Sequence, residues 1–60
     1  MYRISAFKDG YNYCLEIYTP FERRFHVFPT YAGYREYLEG FLWHLKMSHK
    51  RYEIESEVIE

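Results

Sequence analysis

Three side chains in the first half of the chain are of the types that build a nucleophilic site: Cys14, Glu16 and His26. In such a site a thiol attacks the substrate, an imidazole accepts its proton and a carboxylate orients the imidazole. The strand register predicted below places all three on the open face of a sheet, with Glu16 opposite His26. An open face excludes no water and provides no oxyanion hole. We therefore interpret Cys14 as a surface residue beside a cross-strand pair, and predict no catalytic residue and no enzymatic activity.

The histidines and the single cysteine do not form a metal-binding pattern. His44 and His49 are five residues apart, so they do not share a helix face as an i, i+4 pair does. A zinc site needs about four ligands, and the sequence cannot assemble them locally. We predict no metal, no cofactor and, with one cysteine, no internal disulfide.

The composition predicts a single compact domain, residues 1–60. Eight tyrosines, five phenylalanines and one tryptophan provide large apolar side chains for a small core. The net charge of −1 lacks the basic excess typical of nucleic-acid binders. We see neither a signal-peptide pattern nor an apolar run approaching roughly 20 residues. We expect no membrane association and a cytoplasmic location, in the host cytoplasm if the source is viral.

Two alternating runs flank Asp9-Gly10, a dipeptide that favours a type I′ hairpin. A two-residue loop at Asp9 and Gly10 fixes the register of the two strands. It pairs Arg3 with Glu16, and opposite charges across the strands support that pairing. The apolar pairs in this register are Ala6 with Tyr13, Ile4 with Leu15, and Tyr2 with Ile17.

The segment "RRFHVFP" predicts a third strand that ends at Pro29. With a three-residue loop, 20–22, Phe25 and Val27 face the core, opposite Ile17 and Leu15. Phe28 and Arg24 then lie on the open face of the sheet.

Thr30 is predicted to be the N-cap of a helix that runs to about His49. At about 100° per residue, one stripe of the helix faces the sheet: Tyr31, Tyr34, Leu38, Phe41, Leu42 and Leu45. The segment "RYEIESEVIE" predicts a fourth strand, with Tyr52, Ile54 and Val58 inward and Glu53, Glu55 and Glu57 outward.

These elements predict an α+β fold of order β-β-β-α-β. Its sheet is four-stranded and mostly antiparallel, with one helix packed on one face. The right-handed crossover through the helix makes the last strand parallel to its neighbour, for which we favour the first strand.

The helix face opposite the sheet carries an unusual set of residues. Gly33, Gly40 and Met47 form a stripe about 180° from Leu38 on the helical projection. Glycine inside a helix costs roughly 1 kcal/mol relative to alanine, so two of them suggest that something approaches the backbone. Four residues flank the stripe: Glu36 and Trp43 on one side, Tyr37 and His44 on the other.

We therefore predict a non-enzymatic protein-binding domain that uses this face, because Trp, Tyr and Met around a bare backbone resemble an interface hot spot. The acidic residues Glu53, Glu55 and Glu57 form a secondary surface that favours a partner with a basic surface. Small aromatic-rich domains of this kind are common among inhibitors from phages and mobile elements. We accordingly expect an inhibitor or modulator that blocks a host polymerase, nuclease or CRISPR complex, as anti-CRISPR proteins do.

Two alternatives remain open at the level of sequence. Phe7, Tyr18, Phe28 and Arg24 on the open sheet face could stack with single-stranded nucleic acid, although the glutamates on that face would repel phosphates. The glycine stripe could instead seal a homodimer. Nucleic acid is the disfavoured partner because the charge pattern does not attract it.

Overall fold

The computed structural model describes residues 1–60 and has the predicted order β-β-β-α-β. The strands are β1 (Tyr2–Asp9), β2 (Asn12–Tyr18), β3 (Arg23–Phe28) and β4 (Tyr52–Ser56), and the helix is α1 (Tyr31–Met47). They form one sheet in the order β3-β2-β1-β4. β1 pairs with β2, and β2 with β3, in antiparallel fashion, whereas β4 is parallel to β1. The predicted α+β fold class and the parallel pairing of the last strand are confirmed.

The only helix is neither long enough nor apolar enough to cross a membrane.

The first hairpin turns at Gly10 and Tyr11, not at Asp9 and Gly10. Asp9 pairs with Asn12, which leaves these two residues as the loop. Gly10 has a φ of +63°, and Tyr11 is not among the residues with positive φ. Glycine with positive φ in the first loop position alone is the pattern of a type II′ turn. Asp9 therefore extends β1 by one residue.

The register of β1 and β2 consequently differs from the predicted one by two residues. A shift of two preserves the face on which each side chain lies, so Ile4 and Ala6 remain in the core. The predicted pair of Arg3 and Glu16 is wrong: Ser5 lies opposite Glu16. Arg3 lies between Tyr18 of β2 and Glu53 of β4. The core pairs are Ile4 with Ile17 and Ala6 with Leu15.

The loop before β3 contains four residues, 19–22, because Tyr18 pairs with Arg23. Thr19 closes this loop. Its hydroxyl oxygen accepts the backbone N–H groups of Phe21 and Glu22 at 3.1 and 2.9 Å. The predicted three-residue loop is one residue too short.

That single residue reverses the two faces of β3. Phe25 and Val27, predicted to be in the core, lie on the open face and are 49% and 50% exposed. Arg24 and Phe28, predicted on the open face, lie on the helix side together with His26. Phe28 packs at the margin of the core. The prediction followed apolar alternation, whereas the hydrogen bonds of the loop set the register.

The helix begins and ends by recognisable local interactions. Thr30 is the N-cap, and its hydroxyl oxygen accepts the backbone N–H of Gly33 at 3.1 Å. At the other end the N–H of Lys50 reaches the carbonyl of Leu45, and that of His49 reaches Lys46. With His49 at a φ of +56°, these two bonds make a Schellman motif. The helix therefore ends at Met47, two residues before the predicted end.

The predicted inward stripe of α1 is confirmed. Tyr34, Leu38 and Leu45 are fully buried against the sheet. Tyr31, Phe41 and Leu42 are half-buried and pack on the same core. From the sheet the core takes Ile4, Ala6, Tyr13, Leu15 and Ile17.

The last strand ends at Ser56, earlier than predicted. Tyr52 is half-buried as predicted, but Ile54 is 37% exposed. Val58 lies beyond the strand, where it packs on the core and its N–H donates to the hydroxyl of Tyr34 at 3.1 Å. The segment after β4 therefore crosses back over the core at the N-terminal end of α1.

Candidate partner-binding surface

The outer face of α1 is the side of the helix directed away from the sheet. On it Trp43 is 65% exposed and Met47 is 63% exposed. They are four residues apart in a continuous helix, so their side chains are neighbours on its surface. Glu36 and His44 are also exposed on this face. The structure thus brings an indole and a thioether together where the protein's own core does not cover them.

Tyr37 does not lie freely on the outer face, where the sequence placed it. Its ring is half-buried against Phe28 and His26, with ring centroids 5.4 and 4.7 Å apart. Its hydroxyl also lies 3.1 Å from Nε2 of His26. This correction follows from the register of β3, which turned His26 and Phe28 towards the helix. Tyr37 therefore joins the helix to β3 and forms a wall of the surface described next.

A shallow groove runs between α1 and β3. It is lined by Phe28, Gly33, Glu36, Tyr37, Gly40 and Phe41. Sequence reasoning found four of these residues as part of an outer helix stripe. It missed Phe28 and Phe41 as part of the same surface, because Phe28 had been assigned to the opposite face of the sheet.

The surroundings of the two helical glycines differ, and they explain the choice of glycine at only one of the two positions. A Cβ atom on Gly33 would lie 3.2 Å from the hydroxyl oxygen of Thr30 and 3.9 Å from Phe28. Gly33 is therefore explained by the N-cap it supports. A Cβ atom on Gly40 would meet no atom within 4 Å, so nothing inside the protein requires glycine there.

A second depression lies at the C-terminal end of α1, beside the loop between β2 and β3. Its basic residues are Arg24, Lys50 and Arg51. Glu22 also lines it and pairs with Arg24 at 2.8 Å. Both side chains are about half exposed, so this pair contributes little to stability.

The acidic surface of the last strand is smaller than predicted. Glu53 and Glu55 are exposed on β4. Glu57 instead accepts a hydrogen bond from Arg35, which also reaches Glu39 at 3.1 Å. These hydrogen bonds, first that to Glu57 and then that to Glu39, raise the pKa of the Arg35 guanidinium. Glu57 therefore forms an ion pair with Arg35 of the same chain and is not part of a free acidic surface.

The structure separates the three residues that could have built a nucleophilic site. Cys14 and Glu16 lie on the open sheet face, whereas His26 lies on the helix side and contacts Tyr37. Cys14 is buried, and burial, followed by the charges of Asp9 and Glu16, raises the pKa of its thiol. The predicted surface cysteine beside a Glu–His pair is wrong in both respects.

The open sheet face carries exposed rings above this cysteine. The rings of Phe7 and Phe25 approach each other from β1 and β3, with centroids 6.3 Å apart. Tyr18 donates a hydrogen bond to Glu16, and Arg23 lies over the Tyr18 ring and 3.2 Å from Glu16. Phe25 and Arg23 thus occupy the positions that the sequence had given to Phe28 and Arg24.

No protein-family model, no curated protein and no solved structure matches the chain.

Proposed function

We propose that this protein is a non-enzymatic protein-binding domain that docks through the outer face of α1 and modulates a larger partner by covering its surface. The observation that carries the proposal is the exposure of Trp43 and Met47 side by side on the helix. Large side chains of these types are enriched in interfaces and dominate their energetics. Gly40 also supports the proposal. Its bare backbone lies beside Trp43 and Met47 on the helix, and no contact inside the protein requires glycine at this position.

Exposed carboxylates on the helix and on the last strand favour a partner with a basic surface. Glu36 is exposed on the outer face itself, and Glu53 and Glu55 are exposed at the edge of the sheet. Neither glutamate of β4 has an ion-pair partner. Such charges accelerate encounter with a basic target and add specificity more than affinity. An inhibitor or modulator of a host polymerase, nuclease or CRISPR complex fits this description, since such machines present basic surfaces to nucleic acid.

The test compares the wild-type domain with Trp43→Ala as baits, and measures the affinity of each partner that the wild type retains. Trp43→Ala is expected to weaken binding by about 2 kcal/mol or more. It should leave the fold intact, because most of the side chain is already in solvent. Tyr11→Ala is the matched control: this aromatic residue is 92% exposed, but it lies in the β1–β2 loop.

The proposal is refuted if partners bind Trp43→Ala as well as they bind the wild type. It is also refuted if the variant unfolds at room temperature, since Trp43 would then belong to the core. A concentration-dependent dimer in sedimentation that disappears in Trp43→Ala would assign the face to self-association instead.

Single-stranded nucleic-acid binding is a second candidate, favoured by the exposed rings of Phe7, Tyr18 and Phe25 on the open face. Bases stack on such rings, and Arg23 supplies a cation beside them. A salt titration against an oligonucleotide tests it, because phosphate contacts give a steep dependence on salt. Absence of binding at about 50 mM salt removes this candidate.

A further inference from the structure

The two edges of the sheet are not equally protected. β4 forms one edge, where exposed glutamates and a register shift near Ser5 discourage further pairing. β3 forms the other edge, and no backbone or side-chain hydrogen bond reaches its outer side. It carries no acidic residue, and Phe25 and Val27 along it are half exposed. β3 is therefore the edge at which another strand can add.

Strand alternation identifies the backbone groups that are free at this edge. In a hairpin with a two-residue loop, the two residues that flank the loop form a hydrogen-bonded pair, which here is Asp9 and Asn12. Hydrogen-bonded and non-hydrogen-bonded pairs then alternate along the two strands. The even residues of β2 therefore bond to β1, and its odd residues bond to β3. The ladder to β2 uses Arg24, His26 and Phe28. The N–H and C=O groups of Arg23, Phe25 and Val27 consequently point outward.

The groove between β3 and α1 lies beside these free groups. A strand added to β3 would direct alternate side chains towards the helix side of the sheet. There they would meet Phe28, Tyr37 and Phe41, above the bare backbone of Gly40. Backbone pairing along an edge strand, combined with pockets for alternate side chains, is a general mode of peptide recognition.

We propose that the partner contacts this domain through an extended segment that pairs with β3 and places an apolar side chain in the groove. This inference rests on the proposed function, because the groove adjoins the outer face of α1. Charge differs along β3: Glu36 lines the groove near the C-terminal end of the strand. The second depression, with Lys50 and Arg51, lies near the N-terminal end, where Arg24 is paired with Glu22. For antiparallel pairing, the segment carries a basic residue before the apolar one and a carboxylate after it.

The probe is a set of octapeptides selected from a random displayed library on the wild-type domain, then synthesised with blocked termini. Selected peptides should share the order basic, apolar, acidic at alternating positions. The diagnostic variant is Val27→Pro, which removes an outward N–H without touching the ladder to β2. We expect it to weaken binding at least tenfold. The matched control, Val27→Ala, retains the N–H and should change binding less than threefold.

A measurement on the wild type keeps the test valid if Val27→Pro does not fold. Amide hydrogen exchange with and without peptide should show new protection at Phe25 and Val27. The amide of His26 is already hydrogen-bonded to β2, so the peptide should add little to its protection from exchange. Failure of the selection, equal binding by Val27→Pro and the wild type, or protection absent from both outer amides would overturn the inference. So would a wild-type dimer that Val27→Pro abolishes, because a second copy would then occupy the edge.

The outcomes separate this inference from the function on which it rests. A partner whose binding is lost in Trp43→Ala but unchanged in Val27→Pro supports docking through the helix face and refutes strand addition. If peptide binding is lost in Val27→Pro and no partner loses binding in Trp43→Ala, the results support strand addition and refute docking through the indole.

Discussion

Replacing Gly40 by alanine separates the stability of the domain from its binding. Glycine in the interior of an exposed helix is about 0.8–1.0 kcal/mol less favourable than alanine. Gly40 lies within Tyr31–Met47, and an added Cβ there meets no atom within 4 Å. The substitution should therefore raise the free energy of unfolding by about 0.5–1 kcal/mol. In a domain of this size, 1 kcal/mol corresponds to roughly 4–8 °C in Tm.

Urea and thermal unfolding followed by circular dichroism measure this gain, and Gly33→Ala is the matched control. At Gly33 the added atom would press on the capping oxygen of Thr30 at 3.2 Å. The gain in helix propensity is offset there, so Gly33→Ala should be less stabilising than Gly40→Ala. A destabilised Gly40→Ala would refute the conclusion that its surroundings are open.

The same variant reports on binding. If a partner approaches the bare backbone of α1, the methyl group of Gly40→Ala lies between them, and binding should weaken although the domain is more stable. Tighter or unchanged binding by the stabilised variant would remove Gly40 from the docking surface. The exposed glycine would then have no explanation in binding.

Three further predictions concern the local interactions of the fold. Thr30→Ala should lower the free energy of unfolding by about 1 kcal/mol, because Gly33 loses its cap acceptor; an unchanged urea midpoint would contradict this. The buried thiol of Cys14, with its raised pKa, should react with a disulfide reagent at pH 8 about tenfold more slowly in the folded than in the unfolded protein; equal rates would refute its burial. The hydrogen bond that Tyr13 donates to Glu60 raises the phenol pKa above its unfolded value of about 10. The resulting stability is complete below that pH and is lost as the pH rises through the folded pKa. Urea titrations at a series of alkaline pH values should show that the free energy of unfolding falls more steeply with pH in the wild type than in Tyr13→Phe.

Local signals in the sequence were sufficient for the elements and their order. Thr30 as an N-cap, the inward helical stripe and the exposure of Trp43 each depend on helical periodicity or a contact within one turn. The parallel pairing of β4 with β1 follows from the handedness of the crossover. These features were predictable because each depends on few residues or on a general rule of topology.

The registers were not predictable in the same way, because they depend on which loop residues adopt special conformations. Gly10 in the first loop position and the hydroxyl of Thr19 each decide where a strand begins. The two-residue error in the first hairpin left every side chain on its predicted face of the sheet. The one-residue error at β3 exchanged them and so misplaced His26 and Phe28.

By itself, the sequence determined that one helix covers a four-stranded sheet and that an indole projects from the uncovered side of that helix. Helical and strand periodicities are local, and they fix which side chains share a face. Only the tertiary structure decided that His26 and Phe28 turn towards Tyr37, which forms a groove between α1 and the edge strand β3. That arrangement requires α1 and β3 to meet in space, and it changes with a single residue of strand register.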